Sequence, residues 1–422
     1  VGRWANKYVI GLTGNIAMGK SLVRKYLENL GAYTIDADGL AHQAMAPGAP
    51  TYAPIVKTFG EWILDADKKI DRSRLGAVVF AHNDALNILE QITHPIVGQA
   101  IDILISRAKQ PIVVVEAIKL VDGVLGSQVD TVWVVDSPPD IQLQRMMSKR
   151  NMPEWEARKR IETQNPQAEK LAKAQVIIRN NGTPEEVWTQ VQSEWTKLLT
   201  ALRAGSRPAA PAAQPAPPAA KPAVGSAAPA PPAAPATARP STPAVSPVQP
   251  PMPAPAPAPM AAIEVKRGNP RNAEIIAKML TQATGKGVSR GDIMMAFGEK
   301  SYLLAESGTH TFGLAGFQVE NLITRVDEFF IMPDAPLDRV AAPLIVEIEE
   351  ASKELQSEVG FIFMPRTANP VLIQAFLNQG YEKTEIEQLK VPAWREAAQE
   401  LYTPDRQVLM KKLRAERVLK PV

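Results

Sequence analysis

The sequence predicts an α/β protein in three parts. A parallel five-stranded sheet with helices on both faces comes first, then a proline- and alanine-rich linker, then a mixed α/β domain. Three observations carry this. Residues 1–203 alternate short apolar runs with amphipathic stretches. Residues 204–261 are dominated by Pro, Ala, Ser and Val, with no acidic and no aromatic residue. Residues 262–422 open with a helical pattern, continue with consecutive strand-like runs, and end in helix–strand–helix alternation.

In the first part, "KYVIGLT", "AYTIDAD", "PIVVVEAI", "VDTVWVVD" and "AQVIIRN" read as buried strands, short and rich in Val and Ile. Between them lie helical patterns such as "LVRKYLENLG", whose Gly31 closes the helix. Apolar strands alternating with helices argue a parallel sheet covered on both faces. The linker is too rich in proline for helix and too poor in large apolar side chains to offset its ordering entropy. It is expected to be a disordered, extended spacer separating a domain at 1–203 from one at 262–422. In the last part, "PRNAEIIAKMLTQATG" reads as a helix and "SYLLAES", "TFGLAGFQVEN" and "VDEFFIM" as an antiparallel meander. "DRVAAPLIVEIEEASKEL", "GFIFM" and "NPVLIQAFLNQG" follow as helix, strand and helix. The basic tail "QVLMKKLRAERVLK" is expected to be a solvated helix.

Composition narrows the chemistry. The chain has 47 Lys and Arg against 44 Asp and Glu, a net charge of +3, too small to point to nucleic acid or an anionic membrane as partner. The absence of cysteine excludes disulfides, thiolate metal sites and a cysteine nucleophile. The four histidines, His42, His82, His94 and His310, include no i, i+4 pair of the kind a zinc hydrolase needs. The sequence as given opens with no basic stretch and apolar run, and "PIVVVEAIKLVDGVLG" is broken by Glu116, Lys119 and Asp122. A cytoplasmic protein is the expectation.

The chemistry-bearing motif is Gly14-Asn15-Ile16-Ala17-Met18-Gly19-Lys20-Ser21, a full match to G-x-x-x-x-G-K-[ST] between a strand and a helix. Gly14 and Gly19 permit the positive φ that lets consecutive amides turn inward onto phosphate oxygens. The helix starting near Gly19 adds its free N–H groups. Lys20 reaches the β- and γ-phosphates as a point charge, and Ser21 offers its hydroxyl to Mg²⁺. At the carboxyl end of the second strand, where open α/β sheets bind ligands, stand Asp36 and Asp38. Strand alternation would put both on one side. Either is also a good helix N-cap ahead of "GLAHQAM". Beside a phosphate loop, an acid here suits orientation of an attacking hydroxyl, because a loose phosphoryl-transfer transition state asks little of its base.

These residues bring the chain to a known family. "GLTGNIAMGKS", "GAYTIDADGLAHQAMAPGAPTYAPIVKTFG", "IDRSRLGAVVF", "HPIV", "VWVVDSPPDIQLQRMMSKRNMPEWEARKRIETQ" and "AQVIIRNNG" stand in order over residues 11–182. Together they resemble the dephospho-CoA kinases, P-loop enzymes that transfer the ATP γ-phosphate to the 3′-hydroxyl of dephospho-CoA in the last step of coenzyme A synthesis. The resemblance implies ATP and Mg²⁺ as cofactors and dephospho-CoA as substrate. It implies that Ile16, Ala17, Met18, Gly19, Lys20 and Ser21 hold the ATP phosphates and that Asp38 is the base. Arg145 and Arg150 would close over the phosphates from a lid, and Asn180 and Asn181 would lie at the adenine. His94 occupies a family position near substrate, a buried histidine being the alternative. The chain departs from the family in "EAIKLVDG", residues 116–123, where a proline, two leucines and a glutamate are usual. Lys119 stands where leucine is usual, and Asp122 could replace the glutamate. A kinase for another small nucleotide or nucleoside, and a non-catalytic nucleotide-binding scaffold, remain as alternatives.

Residues 262–422 resemble, more loosely, the GNAT acyltransferase fold, chiefly in strand order and in "NPVLIQAFLNQGYEK". That family's R/Q-x-x-G-x-G/A turn is replaced by "IMPDAPLDRVAAPLIVEI", which has no glycine. The second domain is therefore expected to bind a CoA derivative or to mediate protein contacts rather than to transfer acyl groups.

Overall fold

The computed structural model describes residues 3–4, 6–79, 81–150, 152–205 and 262–415. The proline–alanine linker lies almost wholly outside them.

The first five strands are β1 (Tyr8–Thr13), β2 (Tyr33–Asp36), β3 (Ile112–Glu116), β4 (Thr131–Asp136) and β5 (Val176–Arg179). All pair in parallel in the order β2-β3-β1-β4-β5. β1 is central and every one of its residues is buried, which is why its apolar run lacks alternation. The order places the carboxyl end of β1 beside those of β3 and β4, where the chain reverses its direction of winding. Ligands bind at such a switch point.

The helices of this half are α1 (Lys20–Asn29), α2 (Ala37–Ala44), α3 (Tyr52–Phe59), α4 (Arg72–Val79), α5 (Asn83–Arg107), α6 (Leu125–Gln128), α7 (Pro139–Arg150), α8 (Glu154–Glu162), α9 (Gln167–Ala172) and α10 (Pro184–Arg203). α10 begins in a reciprocal cap. Thr183 accepts from Glu186 N, the Glu186 carboxylate accepts from Thr183 N, and Pro184 fills a position whose N–H has no intrahelical acceptor.

The second sheet holds β6 (Glu264–Arg267), β7 (Ser301–Ser307), β8 (His310–Glu320), β9 (Ile323–Ile331), β10 (Val359–Pro365), β11 (Glu382–Thr384) and β12 (Arg406–Lys412), in the order β11-β12-β10-β9-β8-β7-β6. β6 to β9 form an antiparallel meander. β9 then pairs in parallel with β10, over Ile323–Val326 alone on its own side. Its helices are α11 (Ala273–Thr284), α12 (Arg290–Ala296), α13 (Leu337–Glu354), α14 (Pro370–Asn378) and α15 (Pro392–Gln399). This is the mixed α/β layout the sequence predicts, with one correction. The basic tail begins as a strand. β12 lies between β10 and β11 and buries Val408 and Leu409, so partners distant in sequence decide a segment that the local charge pattern assigns to helix. Residues 416–422 lie outside the described residues.

The two halves share core. Tyr33, Ile35 and Leu104 of the first belong to one buried cluster with Val319, Leu322 and Leu355 of the second. On the other face of the sheet, Tyr26 packs edge-to-face on Trp188, with ring centres 5.2 Å apart, and its hydroxyl lies 3.3 Å from the Met294 carbonyl oxygen. The buried Gln356 amide donates to Leu104 O at 2.8 Å.

Candidate functional site

The loop after β1 has the backbone its glycines allow. Gly14 has φ 149° and Gly19 φ 95°. A Cβ on Gly14 would stand 2.5 Å from Val135 O, and one on Gly19 would stand 2.0 Å from Asn180 Nδ2, so both positions need glycine for space as well as φ. Ala17 also sits in the left-handed region, at φ 57°. α1 starts at Lys20 with no side-chain cap, which leaves its first N–H groups directed to the loop. Lys20 is buried and its Nζ lies 3.3 Å from Asn15 O. Met18 points into the core beside Val23 and Tyr26.

The acids divide their work. Asp36 is the last residue of β2 and the N-cap of α2, accepting from Gly39 N at 2.9 Å. Asp38 lies one step into the helix, so strand alternation does not relate the two. The capping role falls to Asp36 and leaves Asp38 available. Asp38 Oδ2 accepts from Ile118 N at 3.1 Å. Burial pushes its carboxyl up to about 6, helped by the nearby Asp36 and Glu116. The Ile118 hydrogen bond and the Lys20 ammonium pull the other way.

Glu116 ends β3 and joins this group. Its Oε1 accepts from Ser21 Oγ at 3.3 Å, and its Oε2 accepts from Arg24 Nε at 2.7 Å in a buried ion pair. Burial opposes the charge on Arg24, but Glu116, Asp36 and Glu28 together raise its pKa. Sequence reading placed Glu116 only as a charge interrupting an apolar run. Its position at a strand's carboxyl end, level with Asp36 in the β2–β3 register, is the signal that could have found it.

The segment that departs from the family pattern is well ordered around the acids. Ile118 N holds Asp38, and Ile118 O accepts from Thr13 Oγ1 at 3.1 Å. Lys119 turns away from the acids and pairs with Glu90 of α5 at 2.6 Å. His94 is exposed on α5 rather than buried.

The lid candidates sit on the other side of the loop. Arg145 of α7 donates to Ser137 Oγ at 2.9 Å and to the backbone and side-chain oxygens of Asn180 at 2.9 and 3.0 Å. Its guanidinium thus braces the ends of β4 and β5. Burial lowers its pKa from the ordinary arginine value. Asn180 in turn donates to Met18 O at 2.9 Å. Asn181 lines a cavity of about 460 Å³ with Met18, Gln142, Gln164 and Arg179. Arg150 closes α7, and its side chain lies outside the described residues.

Three glutamines and one lysine, none of them singled out in the sequence, tie the α7–α9 region to the loop. Gln164 accepts from Ile16 N at 2.8 Å, Gln167 from Asn15 N at 3.1 Å, and Gln142 donates to Ile16 O at 2.8 Å. Lys170 donates to Asn15 Oδ1 at 2.8 Å. No local pattern marks such contacts between residues more than a hundred apart.

Comparison with known proteins gives this geometry its context. A family model described as dephospho-CoA kinase matches residues 8–186. The dephospho-CoA kinase of Geobacter sulfurreducens is 42% identical over 192 residues, covering 45% of this chain and 98% of that protein. Among solved structures, the dephospho-CoA kinase of Campylobacter jejuni is 28% identical and covers 47% of this chain and 98% of its own, with a TM-score of 0.35. An N-acetyltransferase from Thermoplasma acidophilum, solved with coenzyme A, is 10% identical and covers 36% of this chain and 99% of its own, at a TM-score of 0.28. The relative matched almost end to end at 42% identity decides the assignment: this chain belongs to the dephospho-CoA kinase family.

Proposed function

We propose that this chain transfers the γ-phosphoryl group of ATP to the 3′-hydroxyl of dephospho-CoA, giving CoA and ADP, with Asp38 as the base. The observation that carries the assignment of roles is the Asp38 carboxyl. It is held by Ile118 N, faces the Lys20 charge, and is raised toward neutrality without being fixed in its protonated form. At pH 7 most of it is ionised. It accepts the hydroxyl's hydrogen bond, orients the oxygen for in-line attack, and takes the proton as the oxygen–phosphorus bond forms and the bond to ADP breaks. The amides of Ile16 to Ser21, with Gly14 shaping the turn, cradle the ATP phosphates, and Lys20 neutralises charge gathering on the transferring group. Arg145 and Arg150 belong to the lid side, and Asn180 and Asn181 to the adenine side.

Ser21 would hold Mg²⁺ together with ATP oxygens, and Glu116, already 3.3 Å from that hydroxyl, completes a donor set fit for a hard cation. When bound, Mg²⁺ would neutralise phosphate charge. Among the described residues no cluster of three or more acidic or histidine ligands stands ready to hold a metal alone, so the phosphates must supply donors.

The chain divides into a kinase unit at 1–203, a linker at 204–261 and a second unit at 262–422. The second unit serves the kinase as a bound companion, with a CoA derivative as its candidate ligand. A cytoplasmic location is part of this reading; no described helix is long and apolar enough to cross a membrane.

The test is ADP release with dephospho-CoA and, separately, with nucleoside monophosphates as acceptors, the product being located by mass spectrometry. Turnover with monophosphates alone would make the chain a kinase of another class. ATP binding with no acceptor phosphorylated would make it a scaffold.

A further inference from the structure

The second half of the chain reaches the acid-bearing helix directly. The turn between β8 and β9 consists of Asn321 and Leu322, both left-handed at φ 52° and 64°. A left-handed leucine costs about 1–2 kcal/mol and persists only where its surroundings fix it. Here Leu322 is buried in the shared core and its carbonyl accepts from Glu358 N at 2.6 Å. The turn is thereby held against α2. Gln43 donates to Asn321 O, and a Cβ on Gly39 would meet Asn321 Oδ1 at 2.4 Å.

Gly39 and Gln43, one turn apart, face this hairpin. Asp38 and His42, also one turn apart, form the neighbouring stripe of the same helix. Beyond Asp38, that stripe opens on a groove of about 600 Å³, a volume ordinary for a small-molecule site. One wall comes from the kinase half, with His42, Met45 and the segment 65–73. The other comes wholly from the second half, with Glu320, Arg325, Ala393 and Glu396.

Its charge argues against a phosphate as occupant. Arg325, the second half's cation here, is held by Gln318 at 3.1 Å, Glu320 at 2.8 Å and Glu400. Asp65, Asp71 and Glu396 add further negative charge, set against Lys69 and Arg72 of the kinase-half wall. With five carboxylates against three cations, such a mixed, polar lining is a poor cradle for phosphate and suits a neutral chain carrying amide donors and acceptors.

Resting on the dephospho-CoA reading, we infer that the second half of the chain forms the outer wall of the acceptor site, receiving the amide-bearing arm of dephospho-CoA between α2 and α15. The ribose then lies at Asp38 and the arm runs outward past His42, the diphosphate that joins them finding its countercharge in Lys69 and Arg72 of the kinase-half wall. The second half thus sets acceptor affinity without touching the reacting atoms.

The groove can be filled from the second half alone. Ala393→Trp and Glu396→Trp are placed in the full chain, with Val371→Trp, exposed and outside the groove, as control. Expected is a KM for dephospho-CoA raised at least 10-fold, a KM for ATP within 2-fold, an unchanged Tm, and a normal control. Wild-type turnover with no change in acceptor KM in either filled variant overturns the inference. So does an equal rise in both KM values. If Ala393→Trp lowers the Tm, Glu396→Trp, whose own side chain is exposed, decides the question. Absence of wild-type turnover on dephospho-CoA would instead sink the functional reading beneath it.

Discussion

Asp38→Asn is expected to abolish phosphoryl transfer and to make the protein more stable. The carboxyl stands at about 6 in the folded protein against 3.8 ordinarily, so folding binds it a proton more readily than unfolding does. Between these values the folded state holds more protons, and stability falls as pH rises through the window. The cost reaches its full size above the folded pKa. The shift of about 2 units corresponds to about 3 kcal/mol at pH 8, and to about half that at pH 5, where the folded carboxyl is still mostly protonated. Asparagine keeps an oxygen for the Ile118 N–H and removes the charge, so it should recover most of this. Loss of attraction to Lys20 makes the figure an upper one. Chemical denaturation of both proteins at pH 5 and pH 8 reads it: the variant's advantage should grow by about 1.4 kcal/mol between them. A variant no more stable than wild type at pH 8, or an advantage that shrinks with pH, would refute the argument that burial raises this group. In wild type, kcat/KM for dephospho-CoA should rise with pH through about 6 rather than about 4, as the base ionises.

Four further outcomes follow. Gly19→Ala must place a Cβ 2.0 Å from Asn180 Nδ2 at φ 95°; a cost of ~1–2 kcal/mol from the left-handed backbone alone, with Asn180 displaced, should raise the KM for ATP at least ~10-fold. Glu116→Gln breaks a buried pair with Arg24 and should cost as much as ~3–5 kcal/mol in denaturation, besides depressing kcat. The double change Gln164→Ala, Gln167→Ala removes one acceptor from each of two loop amides; at ~1 kcal/mol each, exchange at Asn15 and at Ile16 should quicken roughly 5-fold. Lys119→Leu, which restores the family's usual residue and loses only a half-exposed pair with Glu90, should leave Tm unchanged and kcat/KM within about 2-fold of wild type, as surface pairs contribute little.

Much of this was legible because the governing forces act locally. Five apolar runs became five parallel strands, though at the sheet edges β2 alternates and β5 buries only Ile178 rather than being covered throughout, and the glycine spacing of the loop fixed its backbone. The acids at the second strand were visible, but their split was not. Only the helix start at Ala37 shows that Asp36 caps while Asp38 faces inward, since a strand and a helix N-terminus accept the same residues. β12 misled for a different reason. Its lysines and arginines suggest a solvated helix, whereas its place is set by β10 and β11, which reach it from elsewhere in the chain. The loop contacts of Gln142, Gln164, Gln167 and Lys170 escaped notice because an uncharged amide or a lone lysine carries no signature until its partner is known. The docking of Asn321 on α2 joins residues 278 apart in the case of Gln43, and no periodicity reports on that.

Because Tyr33 and Ile35 lie in one buried cluster with Val319 and Leu322, the two halves cannot come apart without exposing apolar surface from both. Their unfolding should therefore be a single transition, and any ligand that favours the folded form of one raises the melting temperature of the other. Nucleotide at the phosphate loop would then slow hydrogen exchange in β8 and β9, in a sheet that never touches it. Selection on the kinase would preserve those strands for the free energy they share with it, whether or not the second half has chemistry of its own.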